Sequence, residues 1–138
     1  MGRLQGKRVV VVEDDEGVAR AIEMDLSRAG CHVQRFADGR AALNHLVEHE
    51  PDLVILDLKL PSLHGYEVCK ELRRCYERWA LPIIMLTSMD EPIDKLRGYA
   101  CGADAFLVKP YDPTELLSTV DLTCCGWDGQ PWQPLLPS

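Results

Sequence analysis

Five short runs of apolar and β-branched residues recur along the chain, each separated from the next by a longer segment of helical period. Parallel strands need a long connection between them, so this alternation is the mark of strand-crossover-strand units and of a parallel sheet. The runs are Arg8 to Val12, His32 to Phe36, Leu53 to Asp57, Ile83 to Thr87 and Ala105 to Val108. Three of them contain VVVV, LVIL and IIML, apolar at every position, as expected of strands covered by helices on both faces.

The helical segments lie near Glu16 to Arg28, Arg40 to Glu48, Gly65 to Glu77, Pro92 to Ala100 and Thr114 to Thr123. In the first, Val18, Ile22 and Leu26 recur at helical spacing, with Ala21 and Met24 read as flanks of the same core face. Gly30 and Gly102 follow helix ends, where a left-handed residue is useful, and Pro113 suits a first helical turn. The predicted fold class is α/β: a doubly wound five-stranded parallel sheet, a flavodoxin-like (βα)5 sandwich, with ligands beyond the carboxyl ends of the strands. Residues 1–125 are expected to form this domain and 126–138, rich in Pro, Gly and Trp, a tail or the start of a linker.

A chain of 138 residues suits one domain. No apolar run approaches the roughly 20 residues of a membrane-spanning helix. Met1 to Lys7 does not resemble a secretory signal, so a cytoplasmic location is expected. The net charge of -7, without a basic stripe, argues against direct nucleic-acid binding. The six cysteines show neither metal-ligand spacing nor a disulfide framework and read as ordinary thiols; the strain of a vicinal bond opposes a Cys124–Cys125 redox pair. His45 and His49, at helical spacing, read as an exposed polar face rather than a zinc site. Trp79, Trp127 and Trp132 have no assigned role.

The chemistry is concentrated at strand ends. The first strand ends at Glu13, Asp14 and Asp15, the third at Asp57, the fourth at Thr87 and Ser88, and the fifth at Lys109. Two carboxylates about 4 Å apart repel by roughly 4 kcal/mol at an effective dielectric near 20, so a shared rim of acids calls for a cation. A hard ion with oxygen ligands, Mg2+ or Mn2+, meets that need. Asp57, held at the end of a rigid apolar strand, suits a nucleophile that attacks an activated phosphorus to form an acyl phosphate. Lys109 and the Thr87 hydroxyl would then contact phosphoryl oxygens. Asp15, or less so Asp14, is expected to cap the first helix.

In this order VVEDD, LVILDLKLPSLHG, IIMLTS and FLVKP resemble the motif set of response-regulator receiver domains, over about residues 7 to 123. The resemblance implies that Asp57 is the phosphoacceptor, that Asp14 binds the metal directly and that Glu13 acts mainly through metal-bound water. It further implies that the backbone carbonyl of Lys59 is a metal ligand, with Asp15 an uncertain member of the set. Thr87 is similar to the switch hydroxyl, Phe106 to the switch aromatic and Lys109-Pro110 to the family's cis peptide. Gly65 keeps the small residue that lets the loop turn over the acceptor. The implied function is a phosphorelay switch that is not an enzyme beyond its own phosphorylation and dephosphorylation. Its donor would be a histidine kinase or phosphotransfer protein. The responding face would be the fourth helix, fifth strand and fifth helix, around Met89 to Ala100 and Ala105 to Thr123, with an undefined downstream partner.

Other readings are weaker. An aspartyl-phosphate phosphohydrolase would carry a second acid where Lys59 stands. A flavin module would not place EDDEG against a phosphate. A receiver-like interaction domain that is not switched by phosphorylation would not need the full motif set.

Overall fold

The computed structural model describes residues 2–77, 80–88 and 102–125. All five predicted strands form over the residues their sequence marks: β1 (Arg8–Val12), β2 (His32–Phe36), β3 (Leu53–Asp57), β4 (Ile83–Thr87) and β5 (Ala105–Val108). They pair in parallel in the order β2-β1-β3-β4-β5. The described helices are α1 (Glu16–Arg28), α2 (Gly39–Leu46), α3 (Gly65–Cys75) and α4 (Pro113–Cys125), after a 3-10 turn at Gly2–Leu4. The predicted helix Pro92 to Ala100, with the Met89 to Ala100 part of the responding face, lies outside the described residues. So do Trp79, Cys101, Trp127, Trp132 and the segment 126–138.

The period of two along each strand sends alternate side chains to opposite faces. Val9, Val11, Ile55 and Leu86 join Ile22 and Leu26 of α1 and Leu116 and Val120 of α4 in one core. Val10, Val12, Leu56 and Met85 join Leu43 and Leu46 of α2 and Val68 and Leu72 of α3 in the other. Truncating one such leucine to alanine typically costs about 2–5 kcal/mol. In α1 the buried positions are Ala19, Ile22 and Leu26, whereas Ala21 is exposed and Met24 is 47% exposed. Two residues along a helix is a rotation of about 200°, so Met24 faces away from Ile22 and the core stripe is narrower than the sequence reading allowed.

Asp15 caps α1 by accepting from the Val18 N–H at 3.1 Å, and Asp38 caps α2 by accepting from the Ala41 N–H at 2.9 Å. Gly30 and Gly102 adopt φ of 96° and 110°. At Gly102 a Cβ would also meet the Arg73 Cγ at 2.5 Å. Arg73 of α3 sits there because its guanidinium clamps the amino ends of β4 and β5. It donates to Gly102 O at 2.8 Å, Leu81 O at 2.6 Å and Asp104 Oδ2 at 2.8 Å. The chain steps from β1 out to β2, returns past β1 to β3 and continues to β5. The carboxyl ends of β1 and β3 therefore flank the reversal of winding, where α/β sheets form their binding crevice.

Candidate functional site

The parallel ladders run one step beyond the strands and fix the backbone of that crevice. Glu13 N–H donates to Phe36 O at 2.9 Å, Leu58 N–H to Leu86 O at 3.1 Å and Lys109 N–H to Thr87 O at 2.7 Å. The residues these ladders hold line a depression of about 350 Å3, whose walls include Glu13, Asp14, Asp57, Lys59, Thr87 and Lys109. Asp15 and Ser88 complete the rim.

Lys109 is the centre of the charge arrangement. Its Nζ lies 2.8 Å from Glu13 Oε1 and 3.1 Å from Asp57 Oδ2, tying the ends of β1 and β3 to the residue after β5. Burial draws the Lys109 ammonium down, but its hydrogen bonds to Glu13 and Asp57 outweigh that and raise it above its ordinary value. The other oxygen of each acid takes a backbone donor. Glu13 Oε2 accepts from Asp15 N–H at 3.2 Å and Asp57 Oδ1 from Lys59 N–H at 3.1 Å. Glu13 is almost wholly buried and Asp57 is buried, while Asp14 is exposed at the mouth. Burial, then the Asp57 carboxyl, pushes Glu13 up to about 7, against the lowering effect of Lys109 and the Asp15 amide.

Carboxylate oxygens of Glu13, Asp14 and Asp57 lie within 4.8 Å of one another. A donor set of oxygens alone, with three acids facing one ammonium, fits a hard divalent cation such as Mg2+ better than a soft or imidazole-seeking metal. Asp15 lines the depression, but its side chain is engaged as the α1 cap.

The loop after β3 is pinned from two sides. At Gly65 an added Cβ would stand 2.3 Å from Asp57 O and 2.8 Å from Leu58 Cα, so only glycine lets α3 begin this close to the end of β3. Ser62, at φ 65°, donates its hydroxyl to Asp38 at the start of α2. Thr87 is buried at the end of β4, and the Lys109–Pro110 bond is cis. Phe106, half-buried in β5, packs against the core on the α2 and α3 side.

All the predicted strand-end residues thus meet at one rim. Missing from the sequence reading were the Lys59 amide as a donor to Asp57, the Ser62–Asp38 link, and Tyr111. Burial pushes the Tyr111 hydroxyl up to about 12, with the nearby charges of Lys109, Glu13 and Asp57 acting on it as well. Asp38 before a helical segment is a legible cap signal. The left-handed backbone of Ser62 carries none.

Residues 9–121 match the response regulator receiver domain family. Among solved structures, the chemotaxis response regulator CheY4 of Vibrio cholerae is 34% identical, with a TM-score of 0.79 over 84% of this chain and 97% of that one. The BeF3-activated N-terminal receiver domain of Klebsiella pneumoniae RstA is 31% identical, with a TM-score of 0.78 over 83% of this chain and 96% of that one. The response regulator DrrB of Thermotoga maritima, an OmpR/PhoB homologue, is 30% identical at a TM-score of 0.76; the match spans 86% of this chain and 52% of DrrB.

Proposed function

The chain belongs to the response regulator receiver domain family, and on that premise we propose that Asp57 accepts a phosphoryl group from a histidine kinase or phosphotransfer protein in the cytoplasm. Receiver domains are regulatory, and phosphorylation is the family's general switch. The reading here is that this chain turns over no substrate besides its own acyl phosphate. Residues 1–125 form the switch and 126–138 a tail or linker.

The observation that carries the proposal is the position of Lys109 Nζ between Glu13 Oε1 and Asp57 Oδ2, 2.8 and 3.1 Å away. An Asp57 oxygen attacks phosphorus as the donor's P–N bond breaks. Lys109 holds the charge gained by the phosphoryl oxygens, and the Thr87 hydroxyl donates to one of them. Asp14, Asp57 and the Lys59 carbonyl would hold Mg2+ or Mn2+, with Glu13 acting through a metal-bound water and Asp15 at the margin. Such an ion, when bound, offsets repulsion between the incoming anion and the acids. The Lys59 N–H keeps Asp57 Oδ1 oriented, which leaves the Lys109-facing oxygen aimed into the crevice.

Addition of about two negative charges then biases a pre-existing equilibrium in which Thr87 and Phe106 take new positions. The surface of β5, α4 and residues 89–100 changes its affinity for a downstream protein partner. The test is intact mass after a small phosphodonor plus Mg2+. The wild type is expected to gain one phosphate and Asp57→Asn none. Equal phosphate incorporation by both proteins, or none by either under saturating donor, overturns the reading.

A further inference from the structure

At the edge of the sheet opposite the acids, three thiols gather beneath the first turn of the chain. Cys31 is buried just before β2, and Cys124 and Cys125 end α4. Cys31 Sγ lies 3.6 Å from Leu4 O and Cys125 Sγ 3.6 Å from Arg3 O, two successive carbonyls of one 3-10 turn. The Cα atoms of successive residues are about 3.8 Å apart, so both sulfurs are held against one small patch of backbone. Cys124 Sγ is turned elsewhere, 3.8 Å from Asp52 O, on the wall of a depression of about 470 Å3 that Lys7 and Arg8 also line.

Burial acts on two of the three thiols. Burial raises Cys31, with the charge of neighbouring Cys125 as the second cause; burial pushes Cys124 up to about 12, again with Cys125 second. The thiolate is the nucleophile, so a Cys124 thiol held this high is poorly able to start an exchange. A Cys124–Cys125 bond is disfavoured on geometry too, because adjacent Cα atoms about 3.8 Å apart fall below the roughly 4.4–6.8 Å of ordinary disulfides. Cys125 is half-exposed at the helix end, where a small oxidant in solvent can reach it.

We propose that Cys31 and Cys125 form an intramolecular disulfide when the protein meets a hydroperoxide, joining the end of α4 to the entry of β2. The Cys125 thiolate attacks one peroxide oxygen, an S–O bond forms, the O–O bond breaks and the leaving oxygen departs as an alcohol or water after taking a proton. The Cys31 sulfur then attacks the Cys125 sulfenic acid. An S–S bond forms, the S–O bond breaks and the oxygen leaves as water with the Cys31 proton. The two sulfurs lose two electrons in all, and the peroxide is reduced by two.

The experiment treats the full-length, reduced protein with hydrogen peroxide, blocks remaining thiols under denaturing conditions and maps the peptides by mass spectrometry. Expected are a monomer lighter by two hydrogens, two fewer blocked cysteines, and a cross-link between the peptides holding Cys31 and Cys125. The cross-link should survive Cys124→Ser and disappear in Cys125→Ser. Cys31→Ala gives the same loss from the buried side, and the Cys125→Ser result stands if that variant does not fold. Complete blocking of every cysteine after peroxide overturns the proposal. So does a cross-link that persists in Cys125→Ser, a covalent dimer, or Cys125 over-oxidised without a bond to Cys31.

Discussion

Replacing Glu13 by glutamine tests how charge is balanced in the pocket. The Glu13 carboxyl is raised from 4.5 to about 7, by burial first and by the Asp57 carboxyl next. Between those values the folded chain holds a proton that the unfolded chain has released. The stability contributed by that proton is fully present below pH 4.5 and is lost as pH rises through about 7. At roughly 1.4 kcal/mol per pH unit the whole effect is about 3 kcal/mol, a large part of the roughly 5–15 kcal/mol that holds a domain together. Glu13→Gln copies the protonated side chain and does not titrate, while Lys109 keeps Asp57 as a partner. In chelator-treated protein, the variant is expected to exceed the wild type by about 3 kcal/mol near pH 8 and to match it near pH 4.5. Urea unfolding across that range measures the difference. Mg2+ should close the gap, because the cation stabilises the charged acid that the variant lacks. A difference that does not vary with pH, or a variant that is less stable near pH 8 without metal, would refute the reasoning.

Arg73→Ala leaves the buried Asp104 carboxylate without its guanidinium and strips two carbonyls of their donor, so denaturant unfolding should show a loss of about 3–5 kcal/mol. Arg73→Lys should recover only part of it, since an ammonium cannot reproduce the three-way fork. Gly65→Ala places a methyl 2.3 Å from Asp57 O. The loop must shift, with an expected cost of about 1–3 kcal/mol and weaker Mg2+ binding by titration. His64 caps α3 through an acceptor 3.3 Å from the Tyr66 N–H, a poor substitute for a carboxylate at a helix start. His64→Asp should raise the thermal midpoint, with a gain of about 0.5–1 kcal/mol.

The central strands β1, β3 and β4 were legible because burial on both faces leaves little choice of residue. Leu53 to Leu56 and Ile83 to Leu86 are fully buried, and their apolar runs stop where the side chains reach the site. The rim was legible for the complementary reason. Polar residues directly after such runs must sit at the carboxyl edge of the sheet, and parallel order brings those edges together. What escaped prediction depends on backbone geometry or on distant partners. The Lys59 N–H has no side-chain signature, Ser62 adopts φ 65° without being glycine, and Arg73 meets Asp104 across 31 positions of sequence. The α1 face was misjudged at Met24 because hydrophobic identity was given more weight than angular position.

Three acids against one ammonium is an unfavourable balance, and the proposed function uses it. Lys109 is shared between Glu13 and Asp57, and its own N–H is bonded to Thr87 O at 2.7 Å. On the proposed phosphorylation, Asp57 gains about two negative charges and three strong acceptor oxygens, so Lys109 is drawn toward the β3 side and away from Glu13. Glu13, buried and raised to about 7, then either takes a proton or leans on a bound cation. On the proposed reading the phosphoryl group and the cation would therefore strengthen each other's hold, and linkage requires that the strengthening be equal in both directions. The bond from the Lys109 N–H to Thr87 O fixes the main chain that carries this lysine to the end of β4, so a shift of charge at the rim is answered by the flexible side chain and its ammonium rather than by the strand.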